Sequence, residues 1–129
     1  MSLSIMPGFM YAAGEMIERQ NDSPDRVVIG VTTFSDAEKA RQFGTQLVEA
    51  QLVACVNLLP GVESIYRWKG DVEVEGECVM LMKMTASCVE GLEKYLQKHH
   101  PYEQPEFLVL SVEAGSTGYL GWVRENTRS

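Results

Sequence analysis

Strand-like and helix-like stretches follow one another along this chain as strand, helix, strand, strand, helix, strand. That order predicts an α+β fold of the ferredoxin-like split βαβ type, a sheet with its helices on one face. Two further observations shape it. The first and last strands are nearly continuous apolar runs, as expected of strands covered on both faces. The two middle strands are long enough to make an extended hairpin. A length of 129 residues suits one domain, and a hydrophobic fraction of 45% suffices for a core. Residues 1–24 form an N-terminal extension and residues 25–129 the domain proper.

The extension is loosely apolar without a clear period, and Asn21-Asp22-Ser23-Pro24 reads as a turn or linker. Its first basic residue is Arg19, so it lacks the basic start of a secretory signal. Loose packing is expected here, and no function is assigned to it. The run from Arg26 to Phe34 is the first strand. Ser35-Asp36-Ala37-Glu38 then has the form of a capping box, with Ser35 as the cap. The helix that follows puts Ala37, Ala40, Phe43 or Gly44, Leu47 and Val48 on one face, and is expected to end near Gln51.

Ala54 to Trp68 is the second extended stretch, interrupted at Pro60-Gly61. Proline cannot donate to a strand ladder and glycine tolerates unusual dihedrals, so this pair marks a bend or bulge. Lys69-Gly70-Asp71 turns the chain into a third stretch, Val72 to Thr85. Arms of about 14 residues reach roughly 45 Å, more than one small domain can cover. Part of the hairpin is therefore expected to lie on another subunit. Ser87-Cys88-Val89-Glu90 repeats the capping-box form, and Leu92, Tyr95 and Leu96 give a second apolar helix face ending at His99 or His100, before Pro101. Phe107 to Val112 is the fourth strand, and Ser116 to Glu125 a short final helix. Helices on one face leave the other face of the sheet to be covered, which again favours self-association.

Eleven basic residues stand against eighteen acidic ones, a formal net charge of −7. With no basic run to offset it, this charge excludes nucleic acid and anionic membrane as partners. No apolar run approaches the ~18 residues of a membrane span. Three cysteines, Cys55, Cys78 and Cys88, form no CxxC pair. This argues against a disulfide framework and a zinc knuckle, and free thiols fit a reducing compartment.

Four sets of residues carry chemistry. The adjacent His99 and His100 are candidate metal ligands, yet a histidine at a helix end also caps carbonyls. Neighbours on a helix do not face one way, and a full site needs about four ligands, so Cys, Met, Asp or Glu must join them. Cys78, Met80, Met82 and Met84 alternate along one strand face, as soft Cu(I) ligands or as ordinary core. Cys55, with nothing basic near it in sequence, reads as an unactivated thiol. Tyr66, Trp68, Lys83, Tyr102, Glu106 and Trp122 form the last set. An inward Lys83 would need a carboxylate such as Glu106, giving either a small-ligand pocket or a buried ion pair at an interface. There is no phosphate-binding glycine loop, nucleophile elbow or HExxH, so no enzyme is expected.

Taken in order, Ala54-Cys55-Val56-Asn57, Pro60-Gly61, Ser64-x-Tyr66-x-Trp68, Lys83-x-Thr85, His99-His100-Pro101-Tyr102-x-x-Pro105-Glu106 and Tyr119-Leu120-x-Trp122 resemble the CutA divalent-cation tolerance family. The resemblance spans about residues 26–126. It implies an intertwined homotrimer built through long hairpins, a soluble cytoplasmic protein, and a link to copper and other divalent ions without an organic cofactor. In that family copper is assigned to the paired histidines, here His99 and His100, and to a cysteine near the end of the first strand. Thr32 stands at that position in this chain. The family's trimer also resembles the PII signalling proteins, which implies an alternative role as a sensor or adaptor with a ligand in the inter-subunit cleft.

Overall fold

The computed structural model describes residues 16–128. The elements are β1 (Ile17–Arg19), β2 (Val27–Phe34), α1 (Ala37–Glu49), β3 (Cys55–Trp68), β4 (Asp71–Thr85), a 3₁₀ turn (Ala86–Cys88), α2 (Val89–His99), β5 (Leu108–Ser111), β6 (Ala114–Ser116) and α3 (Thr117–Glu125). Strands β3, β4, β2 and β5 form one antiparallel sheet in that order, which is the ferredoxin-like arrangement. The short β1 and β6 pair separately.

The core lies between the sheet and helices α1 and α2. On β2 and β4 the register places Val28 opposite Met84, Gly30 opposite Met82, Thr32 opposite Met80 and Phe34 opposite Cys78. These side chains share one face, and Phe34, the three methionines and Cys78 are buried against Leu47 of α1 and Leu92 and Leu96 of α2. The alternating sulfurs are thus core filling. Helix α1 buries Ala40, Phe43, Gly44 and Leu47, while Val48 is exposed, contrary to the sequence expectation. Gly44 is required by close approach, since a Cβ there would come 2.8 Å from Val56 Cγ2 on β3.

The helix caps differ from their expected form. Asp36, one residue after Ser35, is the N-cap of α1, and its Oδ1 accepts the Lys39 N–H at 2.8 Å. Aspartate is at least as good a cap as serine, and at Asp36 the backbone is still extended. Helix α2 has no side-chain cap: the chain enters it through the 3₁₀ turn, and the Ser87 hydroxyl is paired with Thr85 Oγ1 at 3.0 Å.

The hairpin is as long as anticipated. Residues 69 and 70 close it as a two-residue loop with positive φ at both Lys69 (50°) and Gly70 (88°), the conformation that matches strand twist. At Pro60-Gly61 the register slips, because Leu59 pairs with Val79 and Val62 with Glu77. Two β3 residues there oppose Cys78 alone, a β-bulge. Proline is tolerated because β3 is an edge strand.

Helix α3 packs on the other face of the sheet, at one end only, burying Leu120 and Val123 against Val27 and Ala54. The rest of that face is apolar and open: Leu108, Leu110 and Leu59 are exposed. Within the extension, residues 1–15 lie outside the described residues. The part that is described is built in, which departs from the loose packing expected up to residue 24. Gln20 Nε2 donates to Val27 O at 2.9 Å and Val112 O at 2.8 Å, and its Oε1 accepts the Val27 N–H at 2.6 Å. Glu18 receives Arg124 of α3 at 2.6 Å.

Candidate functional site

The paired histidines have unlike fates. His100 ends α2 and turns inward, with 8% of its surface exposed. Its Nδ1 accepts the Tyr102 N–H at 3.0 Å, so the ring hydrogen is on Nε2, which donates to Thr33 O at 2.8 Å. The ring stacks on Phe34 at a centroid distance of 4.4 Å. Burial pushes its pKa below the usual 6.5 against smaller opposing effects of the Thr33 carbonyl and Glu77, so the ring stays neutral. Both nitrogens are occupied, and His100 has neither left for a metal in this arrangement. His99 is exposed and rests on Tyr95 at 4.4 Å. The two rings join the Phe43–Tyr95 aromatic cluster at different members and do not converge on one point. Among the described residues, no group of three or more His, Cys, Asp or Glu side chains is placed to hold a metal ion. Thr32 is fully buried and its hydroxyl has no hydrogen-bond partner among the described residues.

The six residues of the expected cleft separate within one protomer. Tyr66 and Trp68 are exposed at the far end of the hairpin, where Lys69 Nζ lies 5.8 Å from the Trp68 ring. Tyr102 donates from its hydroxyl to Glu77 Oε2 at 2.9 Å, midway along β4. Burial and that carboxylate raise the Tyr102 pKa far above its ordinary value, so its hydroxyl keeps its hydrogen. Glu106 is exposed and makes no ion pair among the described residues, so the anticipated Lys83–Glu106 pair is not formed. Lys83 instead lies over Tyr119 of α3, with Nζ 5.4 Å from the ring centroid. Trp122 stacks beside Tyr119 at 5.8 Å.

The residues around Lys83 that sequence reasoning missed are Tyr119 and Cys55. Cys55 is directly opposite Lys83 in the β3–β4 register, and the Tyr119 ring lies beside the Lys83 ammonium. The two strand residues are 28 positions apart, so only the register could reveal that a cation flanks this thiol. A half-buried ammonium with an aromatic wall and no carboxylate partner can receive an anion.

The family of this chain is decided by comparison. A family model described as CutA1 divalent ion tolerance protein matches residues 28–126. The chain belongs to the CutA1 divalent ion tolerance family. Divalent-cation tolerance protein CutA of Salmonella newport is 38% identical over 112 residues, covering 87% of this chain and 97% of that protein. Human Protein CutA is 40% identical over 106 residues, 82% of this chain but 59% of the human protein's length. The structure of CutA from Synechococcus elongatus PCC7942 superposes with a TM-score of 0.80 at 35% identity, covering 87% of this chain and 96% of that one. No helix among the described residues is long and apolar enough to cross a membrane.

A polar cleft of about 280 Å³ lies where the extension meets α3, lined among others by Glu18, Gln20, Asp25, Arg26 and Arg124. Two of its three guanidinium groups are already engaged, and the exposed Arg19 lies 3.8 Å from Glu113. Arg124 binds Glu18 and the Asp25 carbonyl, and Arg26 binds the carbonyls of Asp22 and Ser23. This cleft therefore offers an incoming ligand little.

Proposed function

We propose that this CutA1 family member serves divalent-cation tolerance as a homotrimer whose ligand pocket is centred on Lys83 and completed by a neighbouring copy. The observation that carries this reading is the Lys83 ammonium, half-buried against Tyr119 and without a carboxylate partner among the described residues. Tyr66 pairs with Glu73, ten positions along β4 from Lys83. At the strand rise this is roughly 33 Å, so one protomer cannot bring Tyr66 and Trp68 to Lys83. A second copy can, if its hairpin lies across the open sheet face. Tyr66 and Trp68 are on the face of that hairpin that would turn toward the sheet, and the exposed Ile65, Val72 and Val74 on its opposite face would supply apolar surface for a further contact. The ligand is a small anion, held by Lys83 between aromatic side chains. Sedimentation velocity tests the assembly, and a monomer at micromolar concentration would refute it. A thermal-shift screen of small carboxylates and nucleotides on wild type and Lys83→Ala tests the pocket. Stabilisation that survives Lys83→Ala would remove Lys83 from it.

The naming of relatives for divalent-cation tolerance favours a second reading, direct binding of Cu²⁺ or another divalent ion. In this geometry His99 would be the donor, aided by carboxylates, since His100 is spent on Thr33 and Tyr102. Calorimetric titration with Cu(II) and Zn(II) separates the histidines: loss of binding in His99→Ala but not in His100→Ala supports the reading. Equal binding by wild type and the double variant removes it.

A further inference from the structure

Three titratable groups on the open sheet face have a chemistry that anion binding alone does not use. Cys55 opens β3, and Lys83 is its direct partner on β4. Residues directly opposite in an antiparallel pair point to the same side, with Cβ atoms about 5 Å apart. Tyr119 approaches Lys83 from α3, and the Cys55 thiol donates to the Val56 carbonyl at 3.7 Å. Lysine has only hydrogens to give, so toward Lys83 the phenol can act only as an acceptor, and the phenol hydrogen is left for another partner. Burial raises the Tyr119 pKa above its ordinary value, which keeps that hydrogen in place. Cys55 is half-buried, whereas Cys78 and Cys88 are buried in the core.

We propose that Cys55 is a thiol-modification site that forms mixed disulfides with small, carboxylate-bearing disulfides, with Lys83 and Tyr119 as positioning residues. The step balances without a further oxidant. The Cys55 thiol gives its proton to solvent, and the thiolate attacks one sulfur of R–S–S–R. The new bond joins Cys55 to that sulfur, the old S–S bond breaks, and R–S⁻ departs and takes a proton from solvent. Cys55 is oxidised and the leaving sulfur is reduced. Lys83 draws the reagent's carboxylate to the sulfur, and the Tyr119 O–H donates to the sulfur that carries the charge. A chain of net charge −7 would otherwise disfavour an anionic reagent, so the preference is diagnostic. The inference shares the Lys83 pocket proposed above but does not need a reversible ligand. Adduct mass reads it whether or not a metabolite binds.

The test incubates the whole protein with oxidised glutathione, which is anionic, or with cystamine, which is cationic, and follows adducts by peptide mass. Cys55 is expected to react about 10-fold or more faster than Cys78 and Cys88, in line with its exposure. Oxidised glutathione is expected to outpace cystamine, Lys83→Met to reverse that order, and Tyr119→Phe to slow both reagents severalfold. Reaction at Cys55 no faster than at the buried cysteines would overturn the proposal. So would an unchanged reagent order in Lys83→Met. Should that variant fail to fold, the wild-type ratio decides alone, and faster reaction with cystamine overturns the proposal.

Discussion

The two halves of the β3–β4 hairpin obey the same pairing rules and meet opposite environments. Near its base, Met80, Met82 and Met84 are wholly buried beneath α1 and α2. Beyond the bulge, Val74 is 58% exposed, Ile65 70% and Trp68 56%. Both halves alternate along the strand and both carry β-branched or bulky apolar residues. The base buries its apolar face inside the protomer, and the far half has nothing among the described residues to bury it against. Long exposed apolar strands are a hazard that natural sequences remove unless a partner covers them. The difference teaches that stability resides at the base, while the tip carries apolar surface left for a partner.

That division can be broken most forcefully at the base. Met82→Ala should cost about 2–5 kcal/mol, the range for truncating a buried methionine, read as a lowered urea midpoint. Val74→Ala at the tip should stay within about 0.5 kcal/mol for the isolated protomer. A tip value as large as the base value would erase the distinction. Charging the tip should act on assembly. Ile65→Asp or Val74→Asp would bury an unpaired carboxylate at a subunit contact, at about 3 kcal/mol, on the order of a hundredfold in affinity. Sedimentation should then show folded monomers with unchanged circular dichroism, and intact trimers would mean that the tip is not an interface.

The comparison is sharpened by pH. His100 belongs to the base and its folded pKa lies below the unfolded value of 6.5. The unfolded chain therefore takes up the proton first as pH falls, and the stabilisation present above pH 6.5 is lost progressively toward the folded pKa. His100→Gln should flatten that part of the stability profile, and an unchanged slope would assign it elsewhere. A small effect of the opposite sign is expected at Thr32. Replacing its orphan hydroxyl by a methyl in Thr32→Val should stabilise the base by about 1 kcal/mol. A loss of stability would show that the hydroxyl has a partner in solution.

Much of this was legible in the chain. Apolar runs located β2, β4 and β5, Pro60-Gly61 marked the bulge, and Lys69-Gly70 marked the turn. What escaped depends on pairing between distant residues or on choices between equivalent chemistries. Strands β1 and β6 have three residues each, too few for a period, and each exists because of the other almost a hundred positions away. Ser35 and Asp36 are both good caps, and only the backbone decides between them. The carboxylate expected beside Lys83 is not there, and Tyr119 on α3 stands where Glu106 was expected. The histidine pair was visible as a motif, while the inward turn of His100 depends on the Thr33 carbonyl meeting it.

The bulge at Pro60-Gly61 acts as a parity switch. Before it, odd-numbered residues of β3 such as Cys55 and Leu59 share a face with odd-numbered residues of β4 such as Lys83 and Val79. After it, even-numbered residues, among them Tyr66 and Trp68, occupy that same face beside Glu73 and Asp71. A single-residue deletion at this point would remove the bulge yet keep Val62 opposite Glu77, so every tip side chain would stay on its face. The extra residue is thus spent on shape: it bends and twists the hairpin where base gives way to tip, and its loss would re-aim the tip as a whole.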